Sequence, residues 1–165
     1  MTAVDGAGGY DLAIVGSGGA AFSAAIAATD RGLRVVMIER GTLGGTCVNV
    51  GCIPSKALLA AAGSRRRAAG GRFPGIVTDA GPVDVAALVA GKAEIVDGLR
   101  QEKYANLAIE YGIELVEGSA RFVDGPALEV GARRIEAEHY LVATGARPHI
   151  PDIPGLADSG YLTST

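Results

Sequence analysis

Aromatic residues are scarce: there is no tryptophan, and three phenylalanines and five tyrosines make up 5% of the sequence. The core must therefore be built from small aliphatic side chains. There are only two cysteines, Cys47 and Cys52, which is too few for a disulfide-stapled scaffold. The only histidines, His139 and His149, are not at zinc-finger spacing from them. Structural zinc wants four ligands, so such a site is not expected, and both histidines read as ordinary structural or surface residues. Positive charge is not in excess: 15 Lys+Arg against 18 Asp+Glu give a net charge of −3. With a pI near 5.4, this argues against nucleic acid as a partner, and Arg65-Arg66-Arg67 reads as a solvated helix end. No run approaches the ~18 consecutive apolar residues of a membrane span. Residues 1–9 lack the positive and apolar regions of a secretory signal, so a disordered tail and a cytoplasmic protein are expected.

Small residues are abundant instead. Glycine contributes 25 positions and alanine 29, with no Gly-X-Y period, so a collagen-like chain is excluded. At 48% hydrophobic and 20% charged, the 165 residues have the composition of a globular protein and the length of about one domain.

The run Tyr10–Val15 (YDLAIV) reads as a buried parallel strand. It enters a glycine-rich turn, then an alanine-rich helix over 20–30 with Gly32 as its C′ residue, then a second strand over 33–39. Residues 41–45 are a loop. Residues 46–62 read as a helix interrupted at Gly51 and Pro54, and 73–82 as a Gly/Pro loop. A long helical pattern over 83–111 sets Leu88, Ile95, Leu99 and Leu107 mostly on one face and closes at Gly112. Short strands over 113–116, 121–123, 128–130 and 133–137 suggest an antiparallel meander, and 139–143 (HYLVA) a further buried strand.

Three features carry chemistry. In Gly16-x-Gly18-x-x-Ala21, the first glycine allows a tight turn and the second lets backbone approach a pyrophosphate. The small Ala21 permits close helix–strand packing, and the helix start favours an anion. Glu39 ends the next strand 23 positions on, where a carboxylate can accept hydrogen bonds from a ribose diol. Second, Cys47 and Cys52 are five residues apart. In an unbroken helix their Cα atoms would be ~9 Å apart, beyond the ~7 Å reach of a disulfide, so a bond needs a distorted turn, which Gly51 and Pro54 permit. Their position near a helix start would lower a thiol pKa. Third, Ala143-Thr144-Gly145 follows a strand at the end where α/β folds bind ligands.

Three segments together resemble the N-terminal part of the pyridine nucleotide–disulfide oxidoreductases. They are Glu39–Leu59 (ERGTLGGTCVNVGCIPSKALL), the Gly16–Ala21 turn, and Ala143–Pro148 (ATGARP). Within that family the similarity is strongest to the mercuric reductase branch, through GSGGAAFSAAIAA, ERGTLGGTCVNVGC and the segment from Pro154 to Thr165. Dihydrolipoamide dehydrogenases share the cysteine segment but usually have Pro-Gly-Gly-Tyr in place of Gly19–Phe22.

The resemblance implies an α/β fold: a Rossmann-like FAD-binding domain, with a parallel sheet, helices and a small antiparallel meander. Residues 10–150 would be its first segment, and 151–165 a linker toward an NADPH domain. It implies FAD, with Gly16, Ser17, Gly18, Gly19, Ala20 and Ala21 on the pyrophosphate and Glu39 on the AMP ribose. Arg40, Gly41, Gly45, Thr46, Lys56, Ala120, Thr144 and Gly145 would fill further cofactor positions. Cys52 would be the thiol nearer the flavin and Cys47 the outer thiol that meets substrate. Electrons would pass from NADPH through FAD to the Cys47–Cys52 disulfide, and the dithiol would hold Hg(II) for reduction to Hg(0). A soft thiolate pair suits a soft ion. Family members are several times longer, with a nucleotide domain and a dimerisation domain, so this chain is expected to be an incomplete portion of a homodimeric enzyme, without turnover alone. Two alternatives stand beside this: another disulfide reductase such as dihydrolipoamide dehydrogenase, and a non-enzymatic dithiol module for metal binding.

Overall fold

Strand β1 (Tyr10–Val15) lies inside the sheet, and its neighbours explain its near-continuous apolar run. The structure, a computed structural model of the chain, describes residues 9–71 and 73–163. The expected tail falls almost wholly on residues 1–8, outside the described residues. The described chain divides into two units, one formed by residues up to 45 and 101–147, the other by 46–100 and 148 onward.

In the first unit β1 pairs in parallel with β2 (Val35–Glu39) on one side and with β6 (Arg133–Val142) on the other. Strand β3 (Glu114–Glu117) adds in parallel to β2, while β5 (Ala127–Val130) and β4 (Ala120–Val123) continue from β6 as an antiparallel extension. The order is β3-β2-β1-β6-β5-β4. Alternate residues of β1 and β2 feed two cores. Ile14, Val35 and Met37 pack with Phe22 and Ala25 of helix α1 (Gly19–Thr29). Ala13, Val36 and Ile38 pack with Leu128, Val130 and Ile135 of β5 and β6. Both faces are covered, as a parallel strand requires.

Two strand expectations need correction. Residues 113–116 do not join the meander; β3 is a parallel edge strand, because local alternation cannot tell one pairing partner from another. Residues 133–137 and 139–143 are one ten-residue strand, since the exposed Glu138 between them interrupts nothing. Its first half pairs antiparallel with β5 and its second half parallel with β1, and its end is not buried: Val142 is 59% exposed.

Helix α1 buries Ala21, Phe22, Ala25 and Ala28, one stripe at helical spacing. It is capped at Asp30, so Gly32, with φ +78°, lies two residues beyond the cap rather than directly after it.

The second unit holds α2 (Gly45–Asn49, starting at the unit boundary), α3 (Cys52–Ala69) and α4 (Val85–Arg100). Helix α3 runs further than its sequence pattern indicated, and Pro54 does not interrupt it. That proline sits in the first turn, where its missing N–H has no intrahelical partner to lose. The break falls at 50–51 alone. The long pattern over 83–111 is α4, one π-helical turn (Gln101–Ala105) and α5 (Asn106–Glu110), closed by Gly112 at φ +63°. The apolar stripe expected along it is not its buried line: Ile95 is about half exposed, whereas Val96 and Ala108 are buried. A wider turn shifts the residues after it around the helix, which accounts for Ala108 being buried in place of Leu107; Ile95 and Val96 precede the turn, and it does not explain their exchange. Tyr104 of that turn meets Phe22 edge-on, with ring centroids 4.9 Å apart. Among the described residues no helix is long and apolar enough to cross a membrane.

Candidate functional site

In the first unit, the C-terminal ends of β1, β2, β3 and β6 open onto one pocket of about 270 Å³. It is lined by Val15, Gly16, Ile38, Glu39, Arg40, Gly118, Ser119, Ala120 and Thr144. The sequence singled out five of these: Gly16, Glu39, Arg40, Ala120 and Thr144. It passed over Gly118 and Ser119, whose only signal is that they follow a strand end.

Backbone crowding sets the pocket's shape. Gly16 has φ +109°, and a Cβ there would lie 2.3 Å from the Ala143 carbonyl oxygen. Only glycine lets β1 leave the sheet so close to the end of β6. The next turn is equally tight. Gly45, at φ +66°, could carry no Cβ, because that atom would lie 2.7 Å from Gly18 Cα. The 41–45 loop is thereby seated on the β1–α1 turn. Gly19 has open space in front of it and a Cβ at Gly18 would meet only Gly45 Cα, at 3.9 Å; Gly19 and Ala20 are exposed, and Ala21 is fully buried under the helix. No side chain caps the start of α1, so its first N–H groups remain available to water or an anion.

Glu39 is held at both carboxylate oxygens. Ser17 Oγ donates to Oε2 at 2.6 Å, and the Gly41 N–H donates to Oε1 at 2.8 Å. The Gly44 N–H donates to Ser17 Oγ at 3.1 Å. The Gly118 N–H donates to the Glu39 carbonyl at 2.9 Å and fixes its backbone. Gly145 lies beyond Thr144, exposed, with φ +74°.

These residues fit one half of a dinucleotide. Glycines stand where a Cβ would fill the cradle, an uncapped helix start lies beside them, and one oriented carboxylate faces a pocket of sugar size rather than of a whole dinucleotide.

The second unit carries Thr46, Cys47, Cys52 and Lys56. Cys47 lies on α2 and Cys52 is the first residue of α3; both are exposed free thiols. Between them Gly51 turns the chain so closely that a Cβ would stand 3.0 Å from the Thr46 carbonyl oxygen. That turn brings two thiols five residues apart into side-chain contact, as an unbroken helix would not. The expected lowering of thiol pKa is not met at Cys47. Its side-chain hydrogen bond with Cys52 pushes it up, with partial burial and the Cys52 charge acting the same way, against a smaller lowering by a backbone hydrogen bond. A five-residue helix offers little dipole to oppose this. Arg100, which the sequence did not single out, donates from Nε to Asn49 Oδ1 at 3.1 Å and so holds the segment between the cysteines. Lys56 is exposed on α3; His139 and His149 are exposed as well. Among the described residues no three metal-ligating side chains cluster.

A parallel α/β sheet with a glycine turn, a terminal acid on β2 and a nearby cysteine pair in sequence defines a dinucleotide-binding domain of the flavoprotein disulfide reductase type. The family model for pyridine nucleotide-disulphide oxidoreductases matches residues 10–165, and the chain belongs to that family. It is 58% identical over 163 residues to a mercuric reductase of Streptomyces lividans, covering 95% of this chain and 34% of the relative. To the mercuric reductase of Staphylococcus aureus it is 49% identical over 158 residues, covering 96% of this chain and 29% of that one. The solved structure of the HOCl-induced flavoprotein disulfide reductase RclA from Escherichia coli superposes with a TM-score of 0.71 at 31% identity, over 90% of this chain and 31% of RclA. The chain thus spans about a third of the length of these relatives.

Proposed function

We propose that this chain is the FAD-binding, redox-dithiol part of a cytoplasmic, NADPH-dependent mercuric reductase that acts in mercury detoxification. The observation that carries the reading is the doubly held Glu39 carboxylate in a glycine-walled pocket, on a chain that also bears the Cys47/Cys52 turn. The mercuric reductase relatives support the substrate. Glu39 would hold the adenosine ribose, and the Gly16–Ala21 turn would offer N–H groups to the pyrophosphate. Arg40, Gly41, Gly45, Thr46, Lys56, Ala120, Thr144 and Gly145 would complete the contacts. When bound, FAD would supply the two-electron link between reduced nicotinamide and the cysteine pair. The chain's own chemistry is that of the thiols. Cys47 and Cys52 are exposed, and two thiolates can hold Hg(II) linearly. Each thiol releases a proton on binding, so capture is favoured by rising pH, the more so because Cys47 holds its proton tightly. Two electrons then convert Hg(II) to Hg(0). Residues 151–165 would lead toward the NADPH domain of a homodimer, and the 165 residues alone would bind FAD weakly and not turn over.

The test is a chimera in which this chain replaces the matching third of the S. lividans relative. NADPH-dependent loss of Hg(II) is expected, and it should vanish with Cys47→Ala or Cys52→Ala. A flavin-loaded chimera without Hg(II) reduction would overturn the reading.

A further inference from the structure

We propose that Ser17 is a positioning residue whose hydroxyl sets the Glu39 carboxylate as a ribose acceptor; this rests on the dinucleotide-binding reading above. Ser17 is the only buried polar side chain of the described core, at 1% exposure. Burying a hydroxyl is unfavourable unless its hydrogen bonds are made, and here they are. A serine hydroxyl has one proton and two acceptor sites. The proton goes to Glu39 Oε2 at 2.6 Å, and one acceptor site takes the Gly44 N–H at 3.1 Å. The side chain is thus turned away from any ligand, unlike the backbone of the same turn.

Glu39 explains what this achieves. An ionised carboxylate has about four acceptor positions. Ser17 occupies one on Oε2 and the Gly41 N–H one on Oε1. One position therefore remains on each oxygen, and two adjacent hydroxyls can be read together. Without Ser17 the carboxylate keeps only the Gly41 bond and can rotate about its side-chain torsions, so the second hydroxyl would lose its partner. The same serine, through Gly44, joins the loop 41–45 to the turn that carries Gly16 and Gly18. It acts on a ligand only through Glu39.

The test uses the chimera with the S. lividans relative, stripped of flavin, and measures its affinity for FAD by flavin fluorescence, and for ADP and 2′-deoxy-ADP by displacement of FAD. Wild type should prefer ADP to its 2′-deoxy analogue by about tenfold, the worth of a hydrogen bond to a charged acceptor. Ser17→Ala should weaken FAD by about tenfold and bring the ADP preference close to unity. A merely structural role would weaken both nucleotides equally and leave the preference standing, and that result would overturn the proposal. In a Glu39→Ala background Ser17→Ala should change the preference no further. Ser17→Cys, of similar shape but a weak donor, gives the same comparison if the alanine variant does not fold. Failure of the wild-type chimera to bind FAD or ADP would refute the dinucleotide reading itself, and the Ser17 role with it. Binding with an unchanged preference in the Ser17 variants refutes only the latter.

Discussion

Two glycines of one turn should respond oppositely to the same substitution. Gly16→Ala puts a methyl group 2.3 Å from the Ala143 carbonyl oxygen and 2.8 Å from its carbon, at φ +109°. To reach even 3.0 Å, which real Cβ contacts essentially never undercut, β1 and β6 must part by at least about 0.7 Å. Neither side can yield freely. The Ala143 N–H is bonded to Val15 O at 2.9 Å, and the Gly16 N–H to Ile38 O at 2.8 Å. A side chain at that φ costs about 1–3 kcal/mol, and overpacking costs about 1–3 kcal/mol more. The total, about 2–6 kcal/mol, is a large share of the roughly 5–15 kcal/mol that holds a domain folded. At about 2–4 °C per kcal/mol, Tm should fall by roughly 4–24 °C. Gly19→Ala meets nothing within 4 Å and has no positive φ, at the first residue of α1. It should be neutral, or stabilise by up to about 1 kcal/mol through helix propensity. Urea titrations followed by far-UV circular dichroism give both values. Equal midpoints for wild type and Gly16→Ala would refute the close-approach argument.

Other consequences are open to direct measurement. Cys52→Ala removes the hydrogen bond that holds the Cys47 proton, so half-maximal alkylation of Cys47 should shift to lower pH than in wild type; iodoacetamide rates against pH show it. Phe22→Ala empties a buried site and its edge-on contact with Tyr104, and should cost about 3–5 kcal/mol in chemical denaturation. Glu114 is acceptor to Tyr10 at 2.5 Å and to Arg133 at 2.7 Å. Burial raises its pKa, but the bonds from Tyr10 and Arg133 and the charges of Arg133 and Arg34 outweigh this and hold it below 4.5. Its contribution is therefore present above the unfolded pKa and lost as pH falls through the lower folded value. Because the pair is half exposed, Glu114→Gln should cost only about 0.5–1 kcal/mol near neutral pH, shrinking on acidification and in high salt. Tyr10 has the opposite sign: burial foremost, then its bond to Glu114, raises its pKa above 10.0, so its contribution should fade only as pH rises through that higher value.

Local chemistry was legible, and non-local pairing was not. The strand–turn–helix–strand unit over 10–39 could be read because every part is encoded within a few residues: an apolar run, glycines, an alanine-rich stripe, a terminal acid. The meander over 120–137 was readable for the same reason. That residues 114–117 pair with β2 depends on a partner 78 positions earlier, and nothing local to them reports it. The π-helical turn at 101–105 was invisible because its residues have ordinary helical character. In the site, motif spacing supplied Gly16 and Glu39, while Gly118 and Ser119 enter only because a distant strand ends beside β2. The cysteine pKa was misjudged because position near a helix start was weighed without the second thiol, whose hydrogen bond dominates.

The glycine excess now separates into kinds. Gly91 and Gly98 lie within α4 with open space around them, and nothing in the structure requires glycine there. Gly16 and Gly45 are different, because each lets one backbone lie against another where a Cβ would collide. Those contacts bring the β1–α1 turn, the end of β6 and the 41–45 loop together, and the same convergence places Gly44 and Glu39 in reach of a single serine hydroxyl. A larger residue at Gly45 would lift the loop from Gly18 and draw the Gly44 N–H away from Ser17, loosening Glu39 without touching the pocket lining. Gly45→Ala should therefore erode the preference for ADP over 2′-deoxy-ADP although Gly45 does not line the pocket. If that preference survives in a folded Gly45→Ala chain, the loop and the acid are independent, and the serine does no more than fill space between them.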